Sequence, residues 1–395
     1  MPHLRRRFII PLLRKQAKLW PVVGIVGPRQ CGKSTLLRDL LELGDPLSMD
    51  DLELRTEARH SPKAFLARLK PPILIDEAQK APELFDSIKL QVDRKKIPGV
   101  FYLTGSSGFS SKLGIRESLT GRIGLTELLP LLLAEMQGEA FEKVEDAFSR
   151  RVRFGLDLVM PALMRGGMPV PAFLRDGEQR EAYWRSWLEA ALVRDLAPFF
   201  RRDYDPDFSM SLLHRMATVM RDGELPTLKH FQWPARKVRA HLSAMREIFL
   251  VRQINCHPSG IGKETWLFMD GGLAAYLMKV VGGRIGGEGA MLTLARHFLW
   301  NEWAGQSLYR GRSFLREYYK SAQGSPVDAV LDKVPIRIVA SASDVQHRLK
   351  WEERPLIGAM KKLGAKFGYL AAPVENPIPP PKKGGIGILT WGSWS

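Results

Sequence analysis

Residues 1–140 of this 395-residue chain are predicted to form an α/β fold with a parallel sheet, and three observations carry that prediction. The run Val22–Val26 is short, β-branched and bounded by Pro21 and Gly27, as a strand buried on both faces would be. It leads into GPRQCGKST (27–35), a glycine-bracketed loop, and then into apolar residues at helical spacing from Ser34 to Leu43, stopping at Gly44. Two more apolar runs, PPILIDEA (71–78) and GVFYLTGSS (99–107), end in acidic or hydroxyl residues and flank a helical pattern. Strands alternating with helices are the signature of a parallel sheet.

The other elements follow in order. Residues 1–20 read as an amphipathic helix leading into the first strand. APELFDSIKLQVDRK reads as a helix entered through Pro82, because proline is tolerated in a first helical turn. TGRIGLTELLPL supplies a fourth strand. From about Phe141 the pattern turns helical, giving a linker or lid over 141–206 that includes the aromatic-rich stretch 180–200. Residues 207–281 hold three apparent helices ending at Glu247, then two strand-like runs, IFLVRQINC and ETWLFMD, which is the outline of a winged helix. GGRIGGEG (282–289) reads as a hinge opening a last α/β region, 282–395, which carries the proline-rich loop ENPIPPPKKGG. No internal repeat is visible.

Lys and Arg number 59 against 42 Asp and Glu, a net charge of +17. Such a field points to a polyanionic partner, DNA first of all, although a generally basic protein is the plainer alternative. The two cysteines, Cys31 and Cys256, offer neither a disulfide framework nor zinc spacing, as expected in a reducing cytoplasm. The N-terminus MPHLRRRFIIPLLRKQAKLWP begins like a signal peptide, but Arg14 and Lys15 interrupt a very short apolar stretch, so a cytoplasmic location is expected. No run approaches the roughly 20 apolar residues of a membrane helix.

Gly27, Pro28, Arg29, Gln30, Cys31, Gly32, Lys33 and Ser34 satisfy the P-loop pattern. The glycines let successive backbone N–H groups turn toward phosphate oxygens, and the next helix presents its N-terminus to the same anion. ATP and Mg2+ are therefore the expected ligands. Lys33 would reach the β- and γ-phosphates and the Ser34 hydroxyl would ligate Mg2+, while Thr35 is the next hydroxyl in line. ILIDEAQ delivers Asp76 and Glu77 to the strand ends, where ligands collect in open α/β sheets. Asp76 would hold the metal and Glu77 would orient the attacking water. Thr104 and Ser106, in YLTGSS, are candidates for touching the γ-phosphate or that water; a small-residue turn is the competing reading. Arg122, just before the fourth strand, is a candidate to complete a neighbouring subunit's site, with Arg116 as competitor and an ordinary surface arginine as the alternative.

GPRQCGKSTLL, SMDDLELR, PPILIDEAQKAPELFDSIKLQVD, FYLTGSSG, ESLTGRIGLTELLPL and GGMPVPAF together resemble a large family of AAA-type ATPases of bacteria and archaea. The likeness covers the first ~170 residues and thins through VRDL, IFLVRQI and ETWLFMDGGLAAYL; the combined length of the motifs makes it specific. It implies an AAA-type core with its nucleotide motifs on Gly27–Thr35 and on Asp76 and Glu77, a sensor around Thr104–Ser106, and an arginine finger at Arg122. Cys31 departs from the valine or similar apolar residue usual there; it is small enough to fit, and could make the loop sensitive to thiol oxidation. The resemblance also implies a C-terminal restriction-endonuclease-like domain. Asp328 stands at its strand position and Glu302 at its helix acid, but Arg337 and Val339 stand where glutamate and lysine would fall. A nuclease-like fold without nuclease activity is the expectation.

The functional expectation is an oligomeric ATPase, in the manner of a hexameric ring, that remodels or translocates DNA, branched DNA included. The alternatives are a nucleotide-dependent switch with a protein partner and an ATP-dependent nuclease. Arg236, Lys237 and Arg239, placed around the apolar stripe Val238, Leu242 and Met245, are the candidate DNA contacts; a solvated helix face is the competing reading.

Overall fold

The computed structural model describes residues 4–106, 119–138, 152–200, 204–282, 285–322, 326–342 and 349–394. The chain divides into two compact units. The first is Met1–Val144 with Glu247–Phe249 and Ser307–Arg312, and the second is Glu145–Arg246, Leu250–Gln306 and Ser313–Ser395.

The first unit is built on five parallel strands: β1 (Val22–Val26), β2 (Leu47–Ser48), β3 (Ile73–Asp76), β4 (Phe101–Gly105) and β5 (Ile123–Glu127). Their order is β2-β3-β4-β1-β5, so the strand that feeds the glycine loop lies between β4 and β5. All five β1 residues are buried, which explains why its sequence is uniformly apolar instead of alternating. Helix α1 (Ile10–Leu19) precedes β1 and stops where Trp20 turns extended ahead of Pro21. The helix that leaves the loop begins as α2 (Lys33–Thr35) and continues as a π-helical turn over Leu36–Leu40, ending short of the expected Leu43. Helices α3 (Leu52–His60) and α4 (Pro62–Ala67) follow, the former capped by Asp51, whose carboxylate accepts the N–H groups of Glu53 and Leu54. Helix α5 (Leu84–Lys95) packs Phe85 and Ile88 with Phe65, Phe101 and Leu103 on one face of the sheet. Each such side chain contributes about 1.5–3 kcal/mol by leaving water.

The second unit begins with helices Leu156–Arg165 and Gly177–Ala190. Helices Pro206–Arg221 and Ala235–Glu247 come next, then an antiparallel hairpin of Val251–Cys256 with Thr265–Phe268. Between the two helices there is one 3-10 turn, Leu228–His230, where the sequence suggested a third helix. Pro226 and Pro234 bracket that stretch; each lacks an N–H donor and disfavours helix in the residue before it, so little more than a turn fits. Helices Gly271–Val280 and Glu288–Leu308 follow. A four-stranded sheet comes last: Ala329–Leu331 antiparallel to Val334–Ile338, then Phe367–Ala372 and Gly385–Thr390 in parallel. Val330, Val339, Leu356, Leu370 and Ile388 form its core. Among the described residues no helix is long and apolar enough to cross a membrane.

Candidate functional site

Parallel strands bring all their C-terminal ends to one edge, so β1, β3 and β4 deliver their last residues side by side. Ile25 is level with Thr104 and Ile75 with Leu103, which sets the end of β3 beside Thr104 and the loop after β1. The predicted phosphate and metal residues meet here.

The loop has its shape for identifiable reasons. Gly27 has φ +155°, and a Cβ there would lie 2.4 Å from the Leu128 carbonyl oxygen. Gly32 is left-handed at φ 97°, the turn that sends the chain into α2. Lys33 is 5% exposed, and its ammonium donates to the carbonyl oxygens of Gly27 at 3.0 Å and Pro28 at 2.9 Å. Its charge therefore sits inside the loop. Pro28 is buried, Arg29 and Thr35 are half-buried and Gln30 is exposed. Cys31 is fully buried, with Sγ packed toward Gly27, and burial pushes its thiol pKa up. A neutral, enclosed thiol is a packing group and a poor nucleophile, which weighs against an oxidation role for this residue.

Ser34 Oγ donates to Asp76 Oδ2 at 2.8 Å, and the Thr104 hydroxyl donates to Asp76 Oδ1. Glu77 is held separately: Ser106 Oγ donates to its Oε2 at 2.8 Å and Gln79 Nε2 donates to the same oxygen. Thr104 and Ser106 thus orient the two carboxylates. Glu77 has φ 52° and ψ 40°, a left-handed conformation that costs a non-glycine residue about 1–3 kcal/mol and is characteristic of functional sites. Gln79 was not singled out from the sequence; its only signal is its position two residues after Glu77. A hydroxyl and a carboxylate in contact, beside a lysine bonded to loop carbonyls, are hard oxygen donors suited to Mg2+ next to a phosphate. The residues present fit Mg2+ and a nucleotide phosphate.

Residues 20–137 match the sequence profile of the AAA domain family. This stretch is an AAA domain. Over 270 residues the chain is 31% identical to an uncharacterized protein of Mycobacterium bovis and, to the same extent, to one of Mycobacterium tuberculosis, a match covering 66% of this chain. It spans 56% of each relative, little more than half of their length. Among solved structures, the Walker-type ATPase PABY2304 of Pyrococcus abyssi aligns over 70% of this chain and 98% of its own, with 18% identity and a TM-score of 0.43. AMPPCP-bound DnaA from Aquifex aeolicus aligns over 60% and 86%, with 13% identity and a TM-score of 0.28. Both superpositions are loose.

Beneath the loop of the AAA domain lies a buried network that the sequence did not reveal. Arg7 donates from Nε to Glu135 Oε2 at 3.1 Å, from Nη1 to the Cys31 carbonyl at 3.1 Å and from Nη2 to the Leu129 carbonyl at 2.6 Å. Glu135 also accepts the N–H groups of Phe8 at 2.7 Å and Leu132 at 2.9 Å. The Tyr309 hydroxyl oxygen accepts the Leu129 N–H at 3.0 Å. Burial would lower the Arg7 pKa, but the Glu135 carboxylate, together with Tyr309 and Cys31, outweighs it and the net shift is upward, so the guanidinium keeps its charge. Burial likewise pushes the Tyr309 phenol up and keeps it neutral. One guanidinium thus ties the N-terminal segment to the P-loop backbone and to the segment after β5.

Arg122 is placed elsewhere. Its carbonyl accepts the Val22 N–H at 3.2 Å, and Val22 pairs with Ile123, so it stands at the opposite end of β1 from the loop. A five-residue strand spans roughly 16 Å, beyond the reach of the same chain's phosphate site. Its guanidinium binds Asp93 on α5 through both carboxylate oxygens, at 2.6 and 2.9 Å. Arg116 lies outside the described residues.

In the second unit, Arg236, Lys237 and Arg239 are all exposed on helix Ala235–Glu247, with Val238, Leu242 and Met245 buried beneath them. Lys237 sits 3.9 Å over the Phe208 ring, and Arg239 pairs with Glu264 at 2.8 Å. Asp328 is 2% exposed; Arg296 Nε donates to its Oδ1 at 2.7 Å and the Ile338 N–H to its Oδ2 at 2.8 Å. Glu302 is buried on helix Glu288–Leu308, and the Arg337 guanidinium donates to the Pro326 carbonyl at 2.7 Å. No group of three His, Cys, Asp or Glu suited to a metal occurs among the described residues.

Proposed function

We propose that the AAA domain binds ATP and hydrolyses it to ADP and phosphate. One observation carries this reading: Lys33, Ser34, Asp76 and Glu77 share one sheet edge, with both carboxylates held by neighbouring side chains. On binding, Lys33 exchanges the Gly27 and Pro28 carbonyls for phosphate oxygens. Ser34 and Asp76 would hold Mg2+, which when bound would offset the negative charge of the phosphates. Glu77, fixed by Ser106 and Gln79, orients a water against the γ-phosphorus and draws on its proton as the bond to ADP breaks. Replacing Lys33 with alanine is expected to weaken ATP binding by at least about tenfold, read by fluorescent-nucleotide titration, since a charge-assisted contact is worth ~1.5–3 kcal/mol. Unchanged affinity would place the nucleotide elsewhere.

Two further parts of the reading concern partners. Arg122, remote from its own loop, completes the site of an adjoining copy in an oligomer, releasing Asp93 as it does so. Arg122→Ala chains should bind ATP normally and hydrolyse it slowly, and mixing them with Glu77→Gln chains should restore part of the turnover. No restoration in mixtures that co-assemble would rule out this role. The second partner is DNA, supported by the +17 charge and by the exposed row Arg236, Lys237 and Arg239. Affinity should fall steeply between about 50 and 200 mM salt, and alanine at all three positions should reduce the salt slope by about three. Absence of DNA binding even at low salt contradicts it.

A further inference from the structure

The second unit contains a cavity of about 340 Å3 that the nucleotide chemistry does not use. Its wall combines the turn around Glu224 and Lys229, helix Glu288–Leu308 at Arg296, and the strand region that carries Lys320, Asp328 and Arg337. Four cations, Lys229, Arg296, Lys320 and Arg337, face two carboxylates, Glu224 and Asp328, an excess of two positive charges.

The cavity is built, not incidental. The Arg296 side chain is 7% exposed and that of Asp328 2%, and their ion pair, with the Arg296 bond to the Gly223 carbonyl, fixes the wall and cancels one charge against the other. His230 Nδ1 accepts the Thr227 N–H at 3.0 Å, so its proton is on Nε2, 3.2 Å from Glu224 Oε2. Glu224 is thereby engaged at the side of the cavity. Lys229 and Lys320 are exposed, and neither ammonium meets a carboxylate among the described residues. Arg337 adds a third positive charge to the wall, its Nη1 already donating to the Pro326 carbonyl at 2.7 Å.

The volume lies in the range of small-ligand sites, and Leu225, Leu292 and Ile338 supply an apolar wall beside the cations. A phosphate monoester carries about −1.5 to −2 at neutral pH, which matches the excess. A phosphodiester carries a single charge per phosphate and so matches the excess less well than a terminal phosphate does. We infer that this cavity binds a phosphate monoester, borne either by the end of a nucleic-acid strand or by a free nucleotide. The inference stands on the second unit alone and is independent of the ATPase reading.

The test uses the full chain with Lys33→Ala, so that the P-loop does not compete. Four probes are titrated: a short single-stranded oligonucleotide with a 5′-phosphate, one with a 3′-phosphate, the unphosphorylated oligonucleotide, and thymidine 5′-monophosphate. At least one phosphorylated probe should bind ten or more times tighter than the unphosphorylated strand. Preference for an oligonucleotide identifies a strand end; equal or tighter binding of the monophosphate identifies a free nucleotide. Adding Lys229→Ala and Lys320→Ala together should reduce that phosphate-dependent affinity at least tenfold, with an unchanged thermal melt because both residues are exposed. In a chain with Lys33 intact, the same pair should leave ATP hydrolysis unchanged, so failure of this inference and failure of the ATPase reading are separable. Equal binding of phosphorylated and unphosphorylated probes, or undiminished binding after the double substitution, overturns it.

Discussion

Glu77→Gln is expected to keep ATP binding and to lower the rate of hydrolysis by about 10²–10⁴-fold. Glutamine preserves the size and hydrogen bonding of the side chain, so Ser106 can still donate to its oxygen. What disappears is the carboxylate charge that draws on the proton of the attacking water. The left-handed backbone at Glu77 makes this a demanding position, because it directs the side chain and is sustained only by surrounding structure. Single-turnover phosphate release separates this step from binding. Ser106→Ala should show a smaller decrease of the same kind, since it loosens the carboxylate without removing it. Ordinary turnover in Glu77→Gln would mean that another group positions the water.

The largest effect on stability is expected at Arg7. Arg7→Ala leaves the Glu135 carboxylate, 1% exposed, without its cation, and such a loss typically costs about 3–5 kcal/mol. It also leaves the Cys31 and Leu129 carbonyls without a donor. Arg7→Lys separates the two roles. A lysine can still neutralise Glu135, but its single ammonium cannot span three acceptors in the geometry of a guanidinium fork. It should retain more of the stability while weakening nucleotide binding, because the Cys31 carbonyl belongs to the P-loop itself. Urea melts with and without ATP measure both quantities. A melt of Arg7→Ala like that of the unaltered chain would show that the network does not support the domain.

The residues of the P-loop were legible because they are contiguous and their chemistry follows from their spacing. Asp76 and Glu77 were legible because a fully apolar run delivers them to a strand end. Thr104 and Ser106 were identifiable as candidates, but their partners were not: the hydroxyls bond to carboxylates from another strand, 28 and 29 residues away. Arg7, Glu135 and Tyr309 left no local signal, since 128 residues separate the first two and only folding brings them together. Asp328 shows the same limit. The sequence puts it on a strand, whereas it stands in the bend just before Ala329–Leu331, and the arginine that engages it comes from a helix 32 residues earlier. The missing third helix was readable in principle, because Pro226 and Pro234 are plain in the sequence. Their restriction on the preceding residues outweighs the helical spacing between them. The two-residue strand Leu47–Ser48 is too short for any periodicity to announce it.

Under the proposed function, one sheet edge of the AAA domain hydrolyses ATP through Lys33, Asp76 and Glu77. The most direct measurement is phosphate release from ATP by the full chain, with and without Mg2+, beside the Lys33→Ala and Asp76→Asn chains. Release should require Mg2+ in the unaltered chain and fall at least about a hundredfold in both variants. Release at similar rates in either variant, or none from the unaltered chain in its assembled form, would contradict it.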